Sequence, residues 1–299
     1  MEVQPIESIL EKALSRHLHG TDGHLIESIR YSLLAPGKRI RPRLLLACAE
    51  MLDLPVKQAL PAAAALEMIH CFTLIHDDLP CLDNDDFRRG KPSNHKIFGE
   101  STALLAGDAL IPLALEVFLD SEAEPRVLIK ALKRLLWASG PRGVIGGQAA
   151  EMTLNEHSGL ADLKQMHRQK TGALFAAALL IPKDLSGITD QSPQGLAISY
   201  FSDELGLAFQ AMDDLHDQKQ DQIPGTQAMK PLSILSHLSK AEVCKSTTEA
   251  LHSAKDRLIS LWGVKATPLA EAADEILNQI TTESTSPEST SIDQHKGSD

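Results

Sequence analysis

The sequence predicts an all-α protein, and three observations carry that expectation. The 299-residue chain is 43% hydrophobic but only 4% aromatic, so a sizeable core must come from Leu, Ala and Ile, which suit helices packed on helices. Apolar residues recur at helical spacing along most of the chain. Alternating strand patterns are almost absent, and no repeat of fixed short period is present. Composition also bounds function. A formal charge of −11 argues against nonspecific nucleic-acid binding and against an anionic membrane surface. Cys48, Cys71, Cys81 and Cys244 show no C-x-x-C spacing, which predicts neither a zinc site nor a disulfide framework. Free thiols in a reducing cytoplasm are the simpler account. No basic cluster precedes an apolar N-terminal segment, and no uncharged apolar run approaches about 18 residues, so a cytoplasmic protein without stable membrane insertion is expected.

In chain order, a helical pattern from Pro5 to His19 is broken at Gly20 to Gly23. Leu25, Ile26, Ile29, Leu33 and Leu34 then predict an amphipathic helix over 24–35, ended by Pro36-Gly37. Lys38, Arg39 and Arg41 follow, with Pro42 placed to start the next helix. Cations at a helix N-terminus oppose the dipole, so this is a basic surface turn or a place for an anion. From Val56 to Ile75 the pattern is apolar almost all round, which predicts a central helix. His70 lies two turns before Asp77 on the same face, as a core histidine or a cavity-lining one.

That helix runs into five carboxylates within ten residues, Asp77, Asp78, Asp83, Asp85 and Asp86, followed by Arg88, Arg89 and Lys91. Carboxylates at a helix C-terminus meet its negative end and one another, and a divalent cation would reverse both penalties. The adjacent arginines suit phosphate oxygens. Further helices are expected near 101–119, 124–138 and 160–181, with a break at Ser139 to Gly143. Gly146-Gly147-Gln148 would let two backbones or a ligand approach closely. Lys170 sits among apolar positions, aimed into a cavity or snorkelling outward. A second central helix, 194–217, carries Asp213 and Asp217 at i, i+4, so both carboxylates share a face and repel. The same conflict occurs twice, and oxygen-rich carboxylate pairs on facing helices suit Mg²⁺. Patterns near 229–238, 241–262 and 268–280 complete a 1–280 domain. Residues 281–299 hold one apolar residue, Ile292, and read as a disordered tail.

The motifs now assembled resemble the trans-isoprenyl diphosphate synthases, and within them the bacterial farnesyl diphosphate synthases. They are Gly37-Lys38-Arg39-Ile40-Arg41-Pro42, the run from His76 to Asp83 with Arg88-Arg89-Gly90, Gly146-Gly147-Gln148, Lys170-Thr171-Gly172, and Phe209-Gln210 through Asp213-Asp214 to Asp217. The resemblance covers residues 24 to 217 in the family's order. It implies a bundle of about ten or more helices around a central cavity, and a prenyltransferase condensing isopentenyl diphosphate with dimethylallyl or geranyl diphosphate. Lys38, Arg41, His70 and Arg89 resemble the isopentenyl diphosphate pocket; Arg88, Lys170, Thr171 and Gln210 resemble the allylic diphosphate contacts, with Arg88, Lys170 and Gln210 nearest the chemistry. Asp77, Asp83, Asp213 and Asp217 would hold up to three Mg²⁺ ions, with Asp78 and Asp214 as supporting partners. A homodimer is implied as well.

Phe72, five residues before Asp77, resembles the aromatic that sets product length in bacterial farnesyl synthases, and Pro80-Cys81 resembles their two-residue insertion. A fifteen-carbon product is therefore expected, with a geranylgeranyl synthase as the nearest rival. The stretch after Asp217 is shorter than the family pattern; Lys230 stands in for one phosphate-binding lysine, and another is missing. That departure keeps a weakly active or regulatory homologue in view.

Overall fold

The computed structural model describes residues 4–21, 23–155, 157–220 and 233–284. Within them the predicted periodicities become thirteen α-helices and a single two-residue hairpin. The helices are α1 (Gln4–His17), α2 (His24–Leu33), α3 (Ile40–Met51), α4 (Val56–Asp77), α5 (Asn94–Phe98), α6 (Glu100–Phe118), α7 (Pro125–Ser139), α8 (Val144–Glu151), α9 (Leu160–His167), α10 (Ala173–Leu185), α11 (Pro193–Gln220), α12 (Lys240–Trp262) and α13 (Thr267–Ser284). Strands β1 (Phe87–Arg88) and β2 (Lys91–Pro92) pair antiparallel, with Phe87 opposite Pro92.

Helix α4 is the centre. It packs on α6 and α3, touches α10, and is capped by α1 and α2. Its run Ala62 to Ile69 is buried on every side, as a helix with no polar face must be. Helix α10 links α3, α7 and α11, and α11 packs on α12 and α13. One apolar cluster extends from Ile6 to Ile280. It is built almost wholly from Leu, Ala and Ile, with Phe118, Phe175 and Phe201 as its largest aromatics. Among the described residues, α4 and α6 have the length and composition to cross a membrane; α4 is mostly enclosed by protein, whereas α6 keeps one side open.

The expectations need four adjustments. The pattern over 160–181 is not one regular α-helix: residues Arg168–Gly172 form a π-helical turn between α9 and α10. The Gly146-Gly147-Gln148 stretch is itself helical, in α8. A Cβ at Gly147 would lie 2.2 Å from the Lys170 backbone nitrogen, so its absence lets two backbones touch. Of the helix expected over 229–238, residues 233–238 contain only a 3₁₀ turn at Ile234–Ser236. Helix α13 continues to Ser284, beyond the expected boundary at 280; the rest of the tail lies outside the described residues.

Candidate active site

Three neighbouring cations in the sequence have different fates. Arg39 caps α3 with a left-handed backbone (φ 48°) and is buried. Its guanidinium donates to Glu67 at 2.6 Å, to Glu7 at 3.1 Å, and to the carbonyls of Leu33 and Ala35 at 2.9 and 2.7 Å. All three of its nitrogens donate inside the protein, and its charge is matched by Glu67 and Glu7, so Arg39 frames the site. Arg41 is the opposite. It meets His70 Nε2 at 3.2 Å, lies 4.8 Å from the Phe175 ring centre, and leaves its buried Nε without a partner.

Lys38, Arg41, His70 and Arg89 line one cavity of about 320 Å³ together with Gly37 and Glu67. Arg89 reaches it because β1–β2 turns through two left-handed residues, Arg89 (φ 54°) and Gly90 (φ 75°). Its guanidinium occupies the space where a side chain at Gly37 would be, with Nη1 2.5 Å from the position of a Cβ. Burial pushes the Arg41 guanidinium down to about 10, and the charge of Arg89 pushes the same way. Burial also drives His70 well below its ordinary value, helped by Arg41 and Arg89. Cations held together around half-buried Arg41 and His70, with donors to spare, form a site for a multiply charged anion.

The acidic mouth forms where α4 ends. The chain loops back after Pro80-Cys81, so that the Asp83 amide donates to the Asp77 carbonyl at 2.9 Å. Burial raises the Asp77 carboxyl to about 7, and Asp83 and Glu151 push the same way against the charge of Lys170. Asp83 is raised for the same chief reason. Lys170, carried by the π-helical turn, is ion-paired with Glu151 of α8. Glu151 was missed in the sequence; with the Gly146-Gly147 stretch read as helix, Gln148 and Glu151 at i, i+3 would have shared a face.

The remaining predicted residues divide between ligand-facing and framing positions. Arg88 donates to buried Asp78 at 2.8 Å and to Asp85 at 2.7 Å, so its charge is already matched by carboxylates. Thr171 donates to Gln210 at 2.7 Å, and Gln210 donates to Asp214 at 2.8 Å. Asp214 also accepts from the Ser233 hydroxyl and the Ile234 amide, at 2.8 and 2.9 Å. It thus pins the chain beyond residue 232 to α11. Asp213 lies within electrostatic reach of Arg41. Phe72 is buried in α4, five residues below Asp77. The side chain of Asp217, Lys230 and the shortened stretch around it lie outside the described residues.

Among the described residues no three Asp, Glu, His or Cys side chains converge as an ion cluster. What Asp77 and Asp83 present is an oxygen-only donor set whose charge is disfavoured by burial and by like neighbours. A hard divalent cation fits that chemistry.

Comparison with known proteins agrees over most of the chain. A family model described as polyprenyl synthetase matches residues 22–231. A chloroplastic geranylgeranyl pyrophosphate synthase of Capsicum annuum is 40% identical over 280 residues, covering 89% of this chain and 75% of its own. A farnesyl diphosphate synthase of Geobacillus stearothermophilus is 43% identical over 217 residues, covering 70% and 71%. Among solved structures, an FPP/GFPP synthase of Zymomonas mobilis superposes with a TM-score of 0.80 at 30% identity, covering 91% of this chain and 96% of that one.

Proposed function

This chain belongs to the polyprenyl synthetase family and carries its prenyltransferase chemistry, and we propose that it condenses isopentenyl diphosphate with dimethylallyl or geranyl diphosphate to give farnesyl diphosphate. The observation that carries the proposal is the pair of oppositely charged clusters two turns apart on one face of α4: a cationic cavity around His70 and carboxylates around Asp77. A reaction joining two diphosphates needs both. One anion is bound intact and the other must leave.

In this reading Lys38, Arg41, His70 and Arg89 hold the isopentenyl head group. Lys170, Thr171 and Gln210 orient the allylic diphosphate, and Arg88 acts chiefly by holding Asp78. Asp77, Asp83, Asp213 and Asp217 would hold Mg²⁺, which when bound neutralises the leaving diphosphate. The allylic C–O bond breaks with its electron pair passing to that diphosphate; the isopentenyl double bond then forms the new C–C bond, and a proton is lost to the departing diphosphate. The residues supply position and field rather than a nucleophile. Apolar α4, α10 and α11 keep water from the cation.

A fifteen-carbon product is supported by Phe72, which is buried and whose backbone position lies roughly 7.5 Å along the helix axis from that of Asp77. The Capsicum relative favours the second reading, a twenty-carbon product. We further propose a homodimer through the open side of α6, where Leu104 and Leu105 are 47% and 55% exposed. A cytoplasmic location accords with four free cysteines, three of them buried. The test is product mass after a timed incubation of purified protein with Mg²⁺ and both substrates. Farnesyl diphosphate is expected. Geranylgeranyl diphosphate would select the second reading, and diphosphate binding without turnover would make the chain a regulatory homologue.

A further inference from the structure

His76 belongs to the acidic stretch by sequence, yet neither charged pocket uses it. It turns away from both, toward α6. Its Nε2 lies 3.0 Å from the Leu104 carbonyl, and because a carbonyl only accepts, that nitrogen carries the ring proton. The Asp108 carboxylate is 3.8 Å from the same nitrogen. The ring occupies a notch made by Gly107: a Cβ there would lie 2.1 Å from Nε2 and 2.4 Å from Cδ2. No residue other than glycine leaves room for the imidazole against the α6 backbone. On its other side the ring meets Phe72 edge-on, with centroids 5.8 Å apart and planes at 75°. Phe72 and His76 are one turn apart on the same face of α4.

We propose that His76, seated in the Gly107 notch, is a specificity-determining buttress that fixes the Phe72 ring and so limits how long a prenyl chain the enzyme makes. The inference rests on the reading of Phe72 as the floor for the growing chain. An aromatic ring blocks a channel only if it cannot rotate aside. Phe72 is flanked on its own face by a ring that a hydrogen bond and a helix backbone hold in place. Loss of that neighbour gives Phe72 an empty notch to move into, and the floor drops.

The test is the ratio of longer to shorter product from the full-length protein, compared among wild type, His76→Ala, Gly107→Ala and Phe72→Ala. Gly107→Ala collides only with the His76 ring and with no backbone atom, so it displaces the imidazole while sparing the surrounding fold. His76→Ala and Gly107→Ala should each raise the ratio roughly three- to tenfold, the discrimination one aromatic contact provides. Phe72→Ala should raise it further. A higher ratio in Phe72→Ala alone would overturn the buttress and leave the role of Phe72 standing. An unchanged ratio in all three would overturn both. Reduced total turnover at an unchanged ratio in the His76 and Gly107 variants would reduce the notch to a packing feature and overturn the proposal.

Discussion

The basic pocket and the acidic mouth lie on the same helix and store the same kind of conflict, but they store it differently. The cations are held by the surrounding frame: buried Arg39 is satisfied by Glu67, Gly37 admits the exposed Arg89, and Phe175 backs half-buried Arg41. Arg41 keeps its charge near neutrality, since burial lowers it only to about 10. Asp77 can lose its charge there. Asp77 is held at about 7 and shares its surroundings with Lys170, which is itself tied to Glu151. One region is thus a permanent receptor for an anion. The other is a titratable site that becomes fully charged when a cation arrives.

Four perturbations would break or sharpen this contrast. The largest effect is expected for Asp77→Ala, which removes a carboxylate from the mouth; turnover with Mg²⁺ should fall roughly 10²–10³-fold in a diphosphate-release assay. Arg41→Met leaves the mouth intact and should raise KM for isopentenyl diphosphate roughly ten- to hundredfold, while KM for geranyl diphosphate changes little.

A smaller effect concerns pH and stability without metal. The folded protein keeps the Asp77 proton to about 7, whereas the unfolded chain releases it near 3.8, so this group's contribution to stability falls as pH rises across that window. His70 works in the opposite sense. Its folded value is well below 6.5, so stability is lost as pH falls through 6.5 and the unfolded chain takes up the proton. In thermal melts with EDTA, Asp77→Asn should therefore exceed wild type by about 2 °C or more above pH 7, with the gap closing near pH 4. Added Mg²⁺ should raise wild type preferentially.

The smallest effect is expected at Asn94. Its side chain accepts from Ser28 at 2.7 Å and donates to the Ser28 carbonyl and Ser32 hydroxyl at 2.9 and 2.7 Å, docking the arginine hairpin onto α2. Asn94→Ala should raise KM for isopentenyl diphosphate about threefold, because Arg89 loses its fixed approach. A change confined to the geranyl diphosphate KM would place the hairpin on the other side of the comparison.

The helices were legible because burial of Leu and Ala imposes a period that survives in one dimension. So were the paired aspartates and the Gly37-to-Pro42 turn, whose local charge conflicts announce a missing counter-charge. Partnering was not legible. Arg39 and Arg41 are two residues apart and alike in type, but the partners that separate them, Glu67 and Phe175, come from distant turns of α4 and α10. For Arg88 the sequence shows the charge and hides the bonds to Asp78 and Asp85. The hairpin was invisible because two-residue strands have no period to read. Glu151 was hidden because Gly146 and Gly147, read as a place of close approach, belong to a helix packed against Lys170.

The contrast between a permanent anion receptor and a cation-dependent mouth can be measured directly by calorimetric titration of each substrate alone, with EDTA and then with Mg²⁺. Isopentenyl diphosphate should bind with similar affinity in both conditions, and geranyl diphosphate should gain at least about tenfold from Mg²⁺. Equal metal dependence for the two substrates, or none for geranyl diphosphate, would contradict the account.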